Sequence, residues 1–269
     1  MVLDIALGYI CNYCYNCNMI NKLDYCYHSH TSRCGHATGE DEEYVINAIK
    51  RGFKRFGISD HIFLPGISQP RVRGSFECLG EYLDSCKKLK EKYKDQIEIV
   101  IGFEAEYLPA YLSYYKELLS SKKIDYLILG QHYHEIDGKL ALFAVEEYVE
   151  DVIKGVESGL FTYLAHPDLF LLVDSRWNES NILAARRILE ACEKYCVPIE
   201  INVCGLRSHR PYPSKDFFEL SKEYNVEYVI GVDAHSPDHF SDGYIEQAIE
   251  FANKLGLPIK DLFIESKIK

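Results

Sequence analysis

Six of the ten histidines in this 269-residue chain stand at the ends of short apolar runs, with acidic residues beside them. His28-Ser29-His30 follows the first run, Asp60-His61 the second, Glu104 the third, Gln131-His132 the fourth and His166 the fifth. The sixth contains Asn202 and leads on to Arg207; the seventh ends in Asp233-Ala234-His235. One such histidine is more often an ordinary hydrogen-bonded side chain than a ligand. Gathered beside Glu104 and Asp233, however, protonated imidazoles would repel and neutral ones would leave ring nitrogens unpaired, and a divalent cation removes both penalties. Residues two apart on a strand point to one face, so His28 with His30, and Asp233 with His235, are spaced to chelate one ion. The donors outnumber what one ion needs, which predicts two or three divalent ions. Ions a few Å apart bind a phosphoryl oxygen, activate water and neutralise a leaving oxygen, so phosphate-ester hydrolysis is the first expectation. Amide hydrolysis uses the same kind of site and stays open on these residues alone.

Such donors meet only if the elements carrying them share one polarity. Runs rich in β-branched and aromatic residues at 23–27, 55–59, 97–103, 124–129, 161–165, 198–203 and 228–232 read as strands. Each is followed by helical spacing, near 40–51, 77–94, 111–120, 146–158, 181–194, 215–224 and 244–254. Most of the strand runs are apolar nearly throughout, as when both faces are covered. Gly52, Gly159 and Gly256 close helical segments, and Pro198 and Pro258 follow helices that must stop. Seven β-α units of this kind predict an α/β fold with a parallel barrel, its strand ends converging on one mouth. No low-complexity linker divides the units, so they are expected to form one domain.

A chain with 47% hydrophobic residues can bury a full core, which excludes the disordered and collagen-like classes. Its net charge of −11 would repel a phosphate backbone, so no nucleic-acid partner is expected and a small substrate is. No apolar run reaches membrane-spanning length, and the first twenty residues lack the basic and apolar regions of a signal peptide. Ten cysteines in a chain this long are not a disulfide scaffold, so a reducing, cytoplasmic setting is expected.

Taken with their spacing, the strings His28-Ser-His30-Thr31, Cys34-Gly-His36-Ala37, Ser59-Asp60-His61, Gly102-Phe-Glu104-Ala-Glu106, Gly130-Gln-His132, Ala165-His166-Pro-Asp168 and Gly231-Val-Asp233-Ala-His235 resemble the polymerase and histidinol phosphatase (PHP) family. Glu43-Tyr44-Val45, Ile199-Glu200-Ile201-Asn202, Gly205-Leu206-Arg207 and Tyr212-Pro213-Ser214 resemble its histidinol-phosphatase branch. The resemblance divides the chain into a leader over residues 1–21 and a metal-dependent phosphoesterase domain over 22–269. It implies a distorted (β/α)7 barrel with the metal site at the C-terminal ends of the strands. It also implies three ions: one held by His28, His30, Glu104 and Asp233, a second by Glu104, His132 and His166, and a third by His36, His61 and His235. Zinc, manganese and iron all suit such mixed shells. The implied reaction is hydrolysis of L-histidinol phosphate to L-histidinol and phosphate in histidine biosynthesis, with hydroxide generated at the metals as the nucleophile. Glu104, Asp233 and Arg207 would carry the chemistry, Arg207 clamping phosphate with help from Arg210. The alternatives are a different small phosphate ester, a nuclease, or a metal-stabilised domain without catalysis. No Lys/Arg cluster flanks the metal strings as a nuclease would need.

Other candidates carry less. Asp60 and Asp168 either orient neighbouring histidines or are solvated loop residues, and Glu106 is expected to pair with a neighbour. His134, His209 and His239 read as polar loop histidines, and Cys192 and Cys196 as buried apolar positions. The Cys11, Cys14, Cys17 run has the spacing of a zinc or iron–sulfur site, yet it lacks an evident fourth ligand and precedes all the family strings.

Overall fold

The computed structural model describes residues 20–137 and 139–262. The elements run β1 (Tyr25–Cys26), α1 (Asp41–Arg51), β2 (Arg55–Ile58), α2 (Leu79–Lys92), β3 (Glu98–Ala105), α3 (Leu112–Ser120), β4 (Tyr126–Leu129), β5 (His134–Ile136), β6 (Lys139–Ala141) and α4 (Val145–Glu157). They continue with β7 (Tyr163–Leu164), α5 (Glu179–Tyr195), β8 (Ile199–Asn202), α6 (Val203–Arg207), α7 (Lys215–Ser221), β9 (Tyr228–Gly231) and α8 (Tyr244–Leu255). Seven strands pair in parallel in the order β1-β2-β3-β4-β7-β8-β9, while β5 and β6 form a separate antiparallel hairpin. The expected seven β-α units are therefore present, and all seven strands end at the same rim.

The barrel is nearly closed. The segments just past β9 and β1 meet at the rim through a parallel bridge between Ser29 and Ala234, with His30 N–H donating to the Ala234 carbonyl at 2.8 Å. At the other end Tyr228 bridges instead to Ile259 in the segment after α8, and the Tyr25 hydroxyl donates to the Lys260 carbonyl at 2.7 Å. β1 is shorter than the apolar run that foretells it. Beyond Cys26 side chains replace the ladder: Ser29 N–H donates to Ser59 Oγ at 3.0 Å and Thr31 N–H to Asp60 Oδ1 at 2.7 Å. Strand runs over β4, β8 and β9 are buried along their whole length, as expected for a sheet covered by helices. α4 shows how the cover forms: Tyr148, Val149, Val152 and Val156 recur at helical spacing and all are buried.

Among the described residues no helix is long and apolar enough to cross a membrane. The Cys11, Cys14, Cys17 run lies outside the described residues, as does the expected leader except for Ile20 and Asn21. Asn253 of α8 holds Ile20 by both of its backbone groups, at 3.2 and 2.8 Å. Cys192 is buried, as expected; Cys196 is exposed, because the chain turns there in the left-handed conformation that ends α5.

Candidate metal centre

The rim brings together every histidine and carboxylate proposed as a ligand. Glu104, inside β3, lies at the middle, with Oε2 at 3.0 Å from His61 Nδ1, 3.3 Å from His30 Nε2 and 3.4 Å from His28 Nε2. Its Oε1 lies 2.9 Å from His166 Nε2 and 3.6 Å from His132 Nε2. Asp233 Oδ1 stands 3.2 Å from His30 Nε2 and 3.6 Å from His28 Nε2. His36 and His235 close the outer edge, Nε2 to Nε2 at 3.0 Å. His36 is not at a strand end; it comes from the loop after β1 and is exposed, whereas His28, His30 and His166 are buried. His166 and Asp233 both hold positive φ, 30° and 48°, a strain of about 1–3 kcal/mol each that the surrounding bonds must sustain.

These spacings fit divalent ions. Two donors about 2.1 Å from one tetrahedral ion stand about 3.4 Å apart, close to the 3.2–3.6 Å separating His28 and His30 from Asp233. Several facing atoms have no other use: Nε2 of His28 and of His30 and Oδ1 of Asp233 are buried without a hydrogen-bond partner. The His36–His235 contact makes the same point. Each Nδ1 faces a carbonyl, Cys34 O at 3.2 Å and Asp233 O at 3.1 Å, and so carries the proton. The two Nε2 atoms oppose each other at 3.0 Å, an arrangement that a shared cation accommodates.

Electrostatics agree with this fit. Burial works against ionised Glu104, but His132, His28, His61 and His166 outweigh it and hold the carboxyl well below its usual range. Asp233 is likewise held low against burial, by His28, His235 and His30. Burial, reinforced by His235, pushes His30 down to about 3, and burial with His30 pushes His61 well down. His28 goes the other way: burial opposes its charge, yet Asp233, Glu200 and Glu104 together raise it. Ionised carboxylates and bare ring nitrogens are the states that metal ligands require, and an ion would take the place of the proton His28 attracts.

Other side chains position the cluster. Glu200, in β8, pairs with His28 Nδ1 at 2.7 Å and accepts His166 N–H at 3.0 Å and Asn202 Nδ2 at 2.8 Å. No role for Glu200 follows from spacing; the available signal was a charge inside an otherwise apolar strand. Two glycines make room for the carboxylates. A Cβ at Gly130 would stand 2.0 Å from Glu104 Oε1, and one at Gly231 1.6 Å from Glu200 Oε1. Glu106 does pair with a neighbour, Arg73, at 2.8 and 3.2 Å. Asp60 and Asp168 are fully buried, not solvated, and among the described residues their hydrogen bonds go to loop groups and not to a histidine ring. Asp60 accepts Thr31 N–H and Oγ–H, and Asp168 accepts Ser214 N–H at 2.6 Å, so each braces a rim loop. Burial lifts both carboxyls to about 7.

A cavity of about 380 Å³ opens above the cluster, with Arg71, Arg207 and Arg210 in its wall. Arg207 does not present a free fork. Nε donates to Asp242 at 2.5 Å and Nη2 to the His239 carbonyl at 3.3 Å, while Nη1 is buried and unpartnered. Arg210 donates from Nη1 to the Tyr212 hydroxyl at 2.9 Å. Arg71 was not foreseen, since it sits on an irregular loop that buried Arg73 ties to the Ile62 carbonyl at 3.0 Å. His239 is also more than a loop histidine: it lines the cavity, and its Nδ1 accepts His235 N–H at 3.1 Å. His134 pairs with Asp151 at 2.6 Å and His209 is exposed; neither lines the cavity.

Fold and site together define a parallel seven-stranded β/α barrel with a histidine–carboxylate centre at its rim and arginines above it. The chain belongs to the PHP domain family, whose pattern matches residues 27–203. It is 27% identical over 227 residues to a Deinococcus radiodurans protein named probable histidinol-phosphatase, covering 78% of this chain and 85% of that one. A Schizosaccharomyces pombe protein of the same name is 25% identical over 266 residues, with 86% of each chain covered. Histidinol phosphate phosphatase from Lactococcus lactis, solved with zinc, L-histidinol and phosphate, shares the fold with a TM-score of 0.70 at 21% identity, over 91% of this chain and 98% of that one.

Proposed function

We propose that this protein is a histidinol-phosphatase, hydrolysing L-histidinol phosphate to L-histidinol and phosphate with two or three divalent ions of zinc, manganese or iron. The observation that carries the reading is the juxtaposition of the ligand cluster with an arginine-walled cavity, a floor for cations and a wall for an anion. The names of the two relatives and the contents of the Lactococcus lactis complex support this substrate over other phosphate esters.

Bound divalent ions would lower the pKa of water to about 7 and draw charge from phosphoryl oxygens. His28, His30 and Asp233 would hold one ion, with Glu104 reaching both this group and the His132–His166 side through its two oxygens. His36, His61 and His235 offer nitrogens for a further ion. Glu200 fixes the ring of His28, so that Nε2 points at Glu104 and Asp233. Arg207 lines the cavity with Nη1 unpartnered, and its guanidinium, held by Asp242, would turn that nitrogen to a phosphate oxygen. Arg71 and Arg210 add positive charge at the wall of an otherwise acidic protein.

The test is phosphate release by manganese- or zinc-loaded protein from L-histidinol phosphate beside sugar phosphates, nucleotides and single-stranded DNA. A kcat/KM for L-histidinol phosphate several orders of magnitude above the rest is expected. Equal or better cleavage of nucleotides or DNA would keep the metal site and overturn the substrate.

A further inference from the structure

Cys204 has no part in the ligand sets described above. It lies in α6, half-buried, in the wall of the same cavity as Asp233 and His235. Its Sγ, a carboxylate oxygen of Asp233 and a ring nitrogen of His235 all lie within 4.8 Å of one another. The buried thiols nearby have acceptors for their hydrogens: Cys26 donates to the His28 carbonyl at 3.4 Å and Cys34 to the Thr31 carbonyl at 3.1 Å. Cys204 meets the Ser208 hydroxyl at 3.8 Å, a longer contact than either of these.

Asp233 and His235 already face the cation positions described above, and the thiol stands against both of them. The Asp233 side chain is 9% exposed, and its Oδ1 is buried without a hydrogen-bond partner. His235 Nε2 lies 3.0 Å from His36 Nε2, two ring nitrogens that a cation can hold side by side. Sulfur beside nitrogen and oxygen changes which ion suits the position. A thiolate favours zinc or cadmium, whereas manganese, a harder ion, gains little from it.

We propose that Cys204, Asp233 and His235 form a thiolate-containing coordination position on the cavity side of the centre, taken by zinc or cadmium in preference to manganese. The proposal rests on the metal-dependent reading given above. On binding, the S–H bond breaks, its proton passes to solvent, and the sulfur lone pair forms the bond to the ion. One proton is released per ion bound, and no electron is transferred. Because Cys204 and Arg207 share α6, the sulfur–metal bond also ties the phosphate-facing arginine to the centre.

Cadmium added to the metal-free full-length chain tests this, with Cys204→Ser and Cys204→Ala measured in parallel. The wild-type-minus-variant ultraviolet spectrum is expected to show a sulfur-to-cadmium charge-transfer band equivalent to one thiolate per chain. Thiolates elsewhere cancel in that difference. Zinc retention against a competing chelator should fall at least tenfold in both variants, with manganese retention unchanged. Superimposable spectra from proteins that all bind cadmium would overturn the proposal and leave the metal centre standing. Absence of bound ion from the wild-type protein would overturn both.

Discussion

Replacing Gly130 with alanine should disable the centre while leaving the barrel folded. The new Cβ would lie 2.0 Å from Glu104 Oε1 and 2.5 Å from its Cγ and Cδ. Non-bonded contact requires about 3.4 Å, so the carboxylate must retreat by about 1.4 Å. It has nowhere cheap to go: Glu104 is 1% exposed, with His166 at 2.9 Å on one oxygen and His61 at 3.0 Å on the other. A misplacement of about 1 Å at a reacting centre costs on the order of 100-fold in rate, or ~2.7 kcal/mol. Overpacking of this kind costs about 1–3 kcal/mol of stability, a fall of a few degrees in Tm for a domain this large. The assay is kcat/KM for phosphate release together with metal content and a thermal melt. Gly80→Ala is the control, since a Cβ in that position of α2 meets nothing within 4 Å; it should leave activity alone and stabilise by up to about 1 kcal/mol. A Gly130→Ala protein within threefold of wild-type activity, with full metal content, would refute the claim that Glu104 must stand where the glycine lets it.

Glu200→Gln should weaken metal retention by about 10–100-fold, because an amide cannot accept from His28, His166 and Asn202 without turning a donor toward one of them; unchanged retention against a chelator would remove Glu200 from the site. Arg207→Ala should raise KM for the phosphate ester by about tenfold or more with a smaller effect on kcat, and Arg207→Lys should not restore it, since a lysine cannot bond Asp242 and phosphate in the same fork geometry. The Asp168 carboxyl, lifted to about 7 by burial against the pull of Ser214 N–H, binds its proton more tightly folded than unfolded. Its contribution is therefore fully present below about pH 4 and lost as pH rises through 7, so Asp168→Asn should gain Tm relative to wild type between pH 4 and 8. A constant difference across that range would show that Asp168 titrates normally.

The strand-end donors were legible in the sequence because a parallel barrel needs only chain order to collect them. Once 55–59, 97–103 and 228–232 are strands, His61, Glu104 and Asp233 must reach the same rim. Glu200 was visible as a charge in an apolar run, but its partner His28 lies just past β1, across β9, and nothing local joins the two. Asp60 and Asp168 looked like orienting or solvated residues because burial has no signature in a loop; the fold encloses both and gives each a backbone N–H to accept. Arg71, His239 and Cys204 come from rim segments with no strand period to predict their direction.

The sequence alone determined which donors exist and in what order they arrive: seven β-α units, each delivering a polar residue to one rim, with an arginine after the sixth strand. Tertiary structure decided which donors share a neighbour, which atoms are left without one, and which groups are charged. Covalent order places a side chain at a strand end, but separations near 3 Å depend on the Ser29–Ala234 closure and on the space left by Gly130 and Gly231. Charge follows from the same packing, since the burial that raises Asp60 is overridden at Glu104 by the histidines the barrel sets around it.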